Sequence, residues 1–159
     1  MYRKEEFIMI NAKQLRELII RPTLQYLDPI VPYSENAVEL LMMTAAHESH
    51  LGTYIAQVKG PALGIYQMEP ATQEDIYNNF LMYRSDLADL VMNQTGGLTG
   101  GLIGDLFYAT SMARVHYFRA PEALPTTHLG MADYAKKYYN TKLGKALPSD
   151  YLKAYKELC

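Results

Sequence analysis

The residues best suited to chemistry lie in one short stretch, AAHESHLG, at positions 45–52. Glu48 stands there at the end of a run without Gly or Pro, in which the positions at helical spacing before it are mainly apolar. A carboxylic acid on such a face loses hydration, which raises its pKa and lets it hold a proton near neutral pH. Glu48 is therefore our candidate general acid, and the alternative is a helix-end glutamate that turns to solvent.

A second polar stretch, GIYQMEPAT, follows at positions 64–72. Its tight, partly polar turn is expected to wall a cleft beside the first stretch. Glu69 is the next carboxylate along the chain after Glu48. It is either a base that activates water or a helix N-terminal carboxylate stabilised by the helix dipole, and we favour the second interpretation.

Two other patterns suggest a metal or a nucleotide only weakly. His47 and His50 are three residues apart, whereas the zinc-peptidase helix places its histidines four apart with a glutamate after the first. The glycine-rich stretch 96–104 is followed by Asp105 and not by the Lys-Ser/Thr pair of a phosphate-binding loop, so we interpret it as a connector or a close-packed turn. We predict no metal site and no cofactor.

The length, composition and charge of the chain limit which classes of protein it can belong to. The 159 residues, with net charge −2, predict one domain over 1–159 and give no basic footprint for nucleic acid. Lysines concentrate in the last quarter, where a solvated helix face is the simplest interpretation. Cys159 is the only cysteine, so no intrachain disulfide is possible. The sequence shows neither a signal peptide nor a membrane span, and we expect synthesis in the cytoplasm and favour a monomer.

Capping residues and periodicity predict a mainly α fold. Asn11 begins a helix over 11–27 that Pro22 kinks or divides, and Ser34 begins a helix that ends at Ser49 before Gly52. Between Gly52 and residue 64 the β-prone segment 53–58 predicts a small β or irregular lobe. The remaining predicted helices cover about 70–83, 85–93, 106–118, 129–139 and 148–157.

Three segments, in this order, carry a family resemblance: Glu48-Ser49, ALGIYQMEPAT at 62–72, and YYNTKLGKA at 138–146. They resemble the soluble lytic transglycosylase (SLT) and goose-type lysozyme family. That family has Glu-Ser at a helix end, a Gly-Leu-Met-Gln-x-x-Pro-x-Thr turn and a later Ala-Tyr-Asn-Ala-Gly-x-Gly segment. The resemblance covers about residues 38–146.

The resemblance implies an α+β lysozyme-like domain, with the helices 11–27 and 148–157 packed on it, that binds peptidoglycan glycan strands in a cleft. Glu48 matches the catalytic acid, Ser49 the serine that positions it, and Gln67 the cleft glutamine. Tyr139 and Asn140 match the pair that lines the sugar site. This sequence departs from the family pattern in three places. Tyr66 replaces the usual methionine, Glu69 occupies a position where an apolar residue is common, and residues 141–143 replace Ala-Gly-Pro. Tyr66 is also a candidate sugar contact.

Counting carboxylates favours one mechanism. Residues 49–68 contain no Asp or Glu, so we predict a one-carboxylate lytic transglycosylase that cleaves the β-1,4 MurNAc–GlcNAc bond and forms 1,6-anhydro products. The alternative is a goose-type hydrolase in which Glu69 or another acid is the base. An alternative of a different class is an inactive glycan-binding or structural virion protein. For the enzyme we expect a bacteriophage-type lytic role, an endolysin released at lysis or an enzyme carried by a virion.

Overall fold

The computed structural model describes residues 9–93, 100–140 and 144–159, and these are mainly helical. The α-helices are α1 (Ala12–Gln14), α2 (Arg21–Leu27), α3 (Glu35–Ser49), α4 (Pro70–Asn79), α5 (Ser85–Met92), α6 (Gly101–Gly104), α7 (Leu106–Phe118), α8 (His128–Ala135) and α9 (Pro148–Leu158). Two π-helical segments, Leu15–Ile20 and Lys136–Asn140, and a 3₁₀ turn, Leu81–Tyr83, accompany them. The mainly α prediction is confirmed.

Helix α3 lies in the core and carries the candidate acid. Its start is as predicted, because the Ser34 hydroxyl accepts a hydrogen bond from the Ala37 N–H at 3.1 Å. Most of its side chains are buried, so it contacts neighbours on several faces. The helix ends at a left-handed cap, His50 (φ 49°), before Leu51 (φ 51°) and Gly52 (φ 81°). The sequence predicted that the helix ends before Gly52, and the left-handed backbone already begins at His50.

The N-terminal helical segment is divided, as Pro22 predicted. Asn11 caps it by accepting a hydrogen bond from the Gln14 N–H at 3.0 Å. The π-helical segment Leu15–Ile20 comes directly before α2. Pro22, at the start of α2, has no N–H group for an ordinary helical hydrogen bond. Leu18 has the helical spacing of the apolar residues in this segment, but 61% of it is exposed.

Residues 50–69 form the irregular wall of the site. The described residues contain no strand there, and the only β pairing is two isolated antiparallel bridges, Ala56 to Leu63 and Leu63 to Met68. The segment is irregular, and the described residues do not form a small β lobe here. The Gln57 side chain closes its loop by accepting from the Ala62 N–H at 3.2 Å.

The remaining helices agree with the predicted pattern, with shifted ends. Helix α4 ends at Asn79 and is followed by a 3₁₀ turn, and α8 continues into the π-helical segment Lys136–Asn140. Helix α7 has the predicted bounds and is capped by Asp105, which accepts hydrogen bonds from two N–H groups. Of the glycine-rich stretch, residues 96–99 lie outside the described residues, and Gly101–Gly104 forms a short helix.

A single apolar cluster joins these helices. Its members come from every described helix of eight or more residues and from the segment 62–68. No helix in the described ranges has both the length and the apolar character needed to span a membrane.

Candidate active site

Glu48 lies in the last turn of α3, and its carboxyl group is largely withdrawn from water. The Tyr151 hydroxyl donates a hydrogen bond to its Oε1 at 2.6 Å. Burial raises the pKa of Glu48 to about 7, and the hydrogen bond from Tyr151 opposes that rise in part. Within the part of the chain that the structure describes, Glu48 makes no ion pair. Glu48 therefore carries a proton in a substantial fraction of molecules at neutral pH.

The Glu48 carboxyl group opens on a groove of about 650 Å³. Gln67, Tyr139 and Asn140, all predicted site residues, line the same groove, and so does Glu69. The other lining residues are Gln57, Ala62, Met68, Thr72, Gly144 and Lys145. The three segments of the sequence resemblance therefore meet at one surface, and most of the side chains they present to it are polar.

Gln67 is held by an unusual turn. Its backbone is left-handed (φ 47°), and its side-chain amide donates to the Gly64 carbonyl at 2.8 Å. Gly64 has φ 78°, and a Cβ atom there would lie 1.8 Å from the Leu102 carbonyl oxygen. Only glycine fits this close approach, so Gly64 fixes the turn that directs Gln67 into the groove.

Tyr139 and Asn140 lie in the π-helical segment Lys136–Asn140. The Tyr139 hydroxyl donates to the Tyr66 carbonyl at 2.6 Å and so ties this segment to the Gln67 turn. The Lys136 ammonium donates to the Asn140 side-chain oxygen at 2.9 Å and to the Gly144 carbonyl at 2.7 Å. These bonds hold the Asn140 side chain in place. Residues 141–143, where the sequence departs from the family pattern, lie outside the described residues.

Two predicted site residues, Ser49 and Tyr66, do not line the groove. Ser49 is fully buried, where it donates to the Ala45 carbonyl at 3.2 Å and accepts from the Gly52 N–H at 2.9 Å, so it holds the reversal after Glu48. Only 1% of Tyr66 is exposed, and its hydroxyl is hydrogen-bonded to that of Thr110 at 2.9 Å. This corrects the expectation that the Tyr66 ring contacts sugar, because its contribution to the site is its main-chain carbonyl.

Three tyrosines, of which Tyr117 and Tyr151 are buried and Tyr139 is partly buried, stand around the acid. Burial raises the pKa of Tyr117, Tyr139 and Tyr151, and the nearby Glu48 carboxylate raises each of them further. These side chains therefore stay neutral phenols, which donate or accept hydrogen bonds without supplying a counter-charge. The hydroxyl groups of Tyr117 and Thr44 are hydrogen-bonded to each other at 2.8 Å.

Sequence reasoning missed Tyr151, the direct partner of Glu48. It is fully buried on α9, and its ring lies tilted against that of His47 with centroids 4.0 Å apart. The spacing of Tyr151, Tyr155 and Leu158 marks one face of α9 that packs on the core, which was the available signal. That spacing does not indicate which residue of α3 each tyrosine meets.

The two histidines beside Glu48 face different surroundings. His47 is partly buried, and burial lowers its pKa. His50 is exposed, with its ring edge-on to that of Tyr54 at 6.0 Å. Among the described residues, no group of three His, Cys, Asp or Glu side chains is arranged to hold a metal ion.

In comparisons with known proteins, no protein-family model, no curated protein and no solved structure matches this chain. The functional proposal therefore rests on the residues and geometry of the groove.

Proposed function

We propose that this protein is a peptidoglycan-cleaving muramidase with a lysozyme-like cleft, acting on the β-1,4 MurNAc–GlcNAc bond as a lytic transglycosylase. One observation carries the proposal. The Glu48 carboxyl, whose pKa is raised to about 7 by burial, opens on a groove that Gln67 and Asn140 also line. The proposal includes a bacteriolytic role of the phage type, in which the enzyme reaches the wall by release or in a virion.

In the first step Glu48 is the general acid. Its proton passes to the glycosidic oxygen as the C1–O bond breaks, and positive charge develops at C1 in an oxocarbenium-like state. A carboxyl with a pKa near 7 suits this step, because it holds its proton at neutral pH and still gives it up readily. The amide side chains of Gln67 and Asn140 supply hydrogen bonds for the acetamido and hydroxyl groups of the sugar.

In the second step the Glu48 carboxylate takes the proton of the MurNAc 6-hydroxyl. The 6-oxygen then forms a bond to C1, which closes the 1,6-anhydro ring and regenerates the acid without consuming water. The sequence supports this scheme, because residues 49–68, which form most of the irregular wall, contain no Asp or Glu. A single carboxylate serves in turn as acid and base.

Glu69 gives specific support to a second candidate reaction, hydrolysis. It lines the same groove as Glu48 and is placed just before α4, where it is the N-cap residue without a side-chain capping bond. In a hydrolase Glu69 would take the proton of a water molecule that attacks C1. The two reactions differ in their products, since water yields a reducing end and the 6-hydroxyl yields an anhydro end.

Mass spectrometry of purified sacculi digested by the parent protein and by Glu69→Gln distinguishes these reactions. We expect anhydro-muropeptides from both proteins at similar rates. Reducing-end products from the parent that are lost in Glu69→Gln would replace the transglycosylase with the hydrolase. If the parent binds sacculi in a pull-down but releases no fragments, the protein is an inactive glycan-binding or structural protein and the proposal fails.

A further inference from the structure

A second cavity, of about 500 Å³, shares no lining residue with the Glu48 groove in the described parts of the chain. It lies between the turn before α3, the end of α7 and the segment 120–124. Its walls are mainly apolar and aromatic, and they include Tyr33, Tyr117, Phe118, Leu124 and Tyr134. The cavity plays no part in the glycan chemistry proposed above.

The cavity contains a buried positive charge, the guanidinium of Arg114 on α7. Only 5% of this residue is exposed. One guanidinium nitrogen donates to the Pro32 carbonyl at a long 3.4 Å, and Cζ lies 5.7 Å from the centroid of the Phe118 ring. Among residues 9–93, 100–140 and 144–159, no carboxylate forms an ion pair with Arg114. Its guanidinium therefore has N–H donors to spare at the cavity.

A buried guanidinium without a counter-ion is costly. Arginine stays protonated at any ordinary pH, so it cannot escape the cost by losing its charge. Burial does lower the pKa of Arg114, in agreement with its poorly solvated position. An apolar side chain of similar size would fill the same space more favourably. An oxyanion supplied from outside the chain would give this charge the partner that it lacks.

The nearest acidic side chain at the cavity does not provide that partner. Glu122 lines the rim, but its carboxylate pairs with Lys137. The Tyr134 hydroxyl, which also faces this region, donates to the Glu122 main-chain carbonyl at 3.0 Å. The guanidinium therefore remains the group that is available to an anion.

We propose that this cavity binds a small ligand that carries one carboxylate on an apolar body, with the carboxylate on Arg114. A planar guanidinium matches a carboxylate in a fork of two hydrogen bonds, and the aromatic walls match the apolar body. Inorganic phosphate fits less well, because it has no apolar body to match walls such as Phe118 and Leu124, which offer no hydrogen-bond donor to its remaining oxygens.

Calorimetric titration of the full chain at low salt with benzoate, benzamide and inorganic phosphate tests the proposal. Benzamide has the shape of benzoate without its charge, and phosphate has the charge without the apolar body. We expect benzoate to bind at least about tenfold more tightly than benzamide, which corresponds to about 1.4 kcal/mol, and more tightly than phosphate. No benzoate binding at millimolar concentrations, equal binding of benzamide, or tighter binding of phosphate would each overturn the proposal.

Variants locate the site. Arg114→Met should remove the preference for benzoate over benzamide, whereas Arg119→Met, at the end of the same helix but paired with Asp75, should keep it. Undiminished benzoate binding by a folded Arg114→Met would contradict the proposal.

A second pair of variants does not depend on how the core tolerates the loss of Arg114. Ala123 is exposed at the rim of the cavity, so Ala123→Glu and Ala123→Lys should both fold. We expect Ala123→Glu to weaken benzoate binding severalfold, because like charges repel, and Ala123→Lys to preserve or strengthen it. Equal benzoate affinities in these two variants would place the ligand elsewhere.

Discussion

Glu39 and Glu48 lie on the same helix, α3, and each accepts a hydrogen bond from a tyrosine of α9. Tyr155 donates to Glu39 and Tyr151 donates to Glu48, both at 2.6 Å. The two sites differ in one respect. Arg16 forms a two-pronged ion pair with Glu39, at 2.7 and 3.2 Å, whereas no such cation stands beside Glu48 in the described part of the chain.

This difference separates a structural carboxylate from a candidate acid. The Arg16 ion pair and the Tyr155 hydrogen bond let Glu39 join the N-terminal helical segment to α3 and α9. Beside Glu48 no cation forms an ion pair among the described residues, and burial raises its pKa. The two glutamates of α3 therefore differ in their charged partners as well as in their position on the helix.

The largest expected effect comes from removing each carboxylate in turn. Glu48→Gln keeps the shape of the side chain and removes its proton, so we expect release of soluble muropeptides from sacculi to fall by about 100- to 10,000-fold. Glu39→Gln is the matched control, and its specific activity should stay close to that of the parent. Full activity in Glu48→Gln would exclude Glu48 as the acid.

The second effect is a pH dependence of stability. The pKa of Glu48 is 4.5 in its ordinary state and about 7 in the fold. Between these values the folded protein binds more protons than the unfolded chain. The stability from this group is therefore complete below pH 4.5 and is lost as the pH rises from 4.5 through about 7, by about 3 kcal/mol in all.

Urea unfolding at several pH values measures this decline. Glu48→Gln should lack the part of the decline that lies between pH 4.5 and about 8, and Glu39→Gln should retain it. Cleavage should fall as the pH rises through about 7, where the acid of the folded enzyme loses its proton. Parallel stability curves for the parent and Glu48→Gln would show that the Glu48 pKa is not raised.

The third effect follows from breaking the ion pair of Glu39. Arg16→Met should lower the free energy of unfolding by about 1–2 kcal/mol, because it removes two charge-assisted hydrogen bonds at a partly buried site. Arg21→Met is the control, since its partners Glu17 and Glu35 are more exposed, and its cost should be smaller than that of Arg16→Met. Equal costs would mean that the Arg16 pair contributes no more than a surface pair.

The smallest effect concerns the two tyrosines. The hydrogen bond from Tyr151 lowers the pKa of Glu48, so Tyr151→Phe should move the alkaline limb of the cleavage profile to higher pH, by less than about one unit. Tyr155→Phe should leave that limb in place, because its hydroxyl contacts Glu39. A shift of similar size in both variants would indicate a general change in α9 and not a contact with the acid.

The regular elements of this protein were predictable from local signals. The bounds of α3 and α7 agree with the predicted ones, because a capping side chain and helical periodicity act within a few residues. The segment 53–58 was less predictable. Its residues favour strands, but the structure gives them only one isolated bridge, between Ala56 and Leu63, because a strand needs a partner strand along its whole length.

The positions of two site residues depended on backbone geometry. Tyr66 and Gln67 are neighbours in the sequence, and both were expected to face the cleft. The left-handed backbone of Gln67 directs its amide to the groove while the Tyr66 ring packs beside Thr110. That conformation depends on Gly64 lying against Leu102, a contact with a distant segment that the local sequence does not reveal.

The sequence by itself determined that Glu48 ends a core helix and that a polar turn and a Tyr-Asn segment are available as partners. The tertiary structure alone decided which groups meet the two carboxylates of α3. Tyr151 lies 103 positions from Glu48, and Arg16 lies 23 positions from Glu39. Such pairings depend on how helices pack, and burial and a counter-ion shift a pKa only once that packing has brought the groups together.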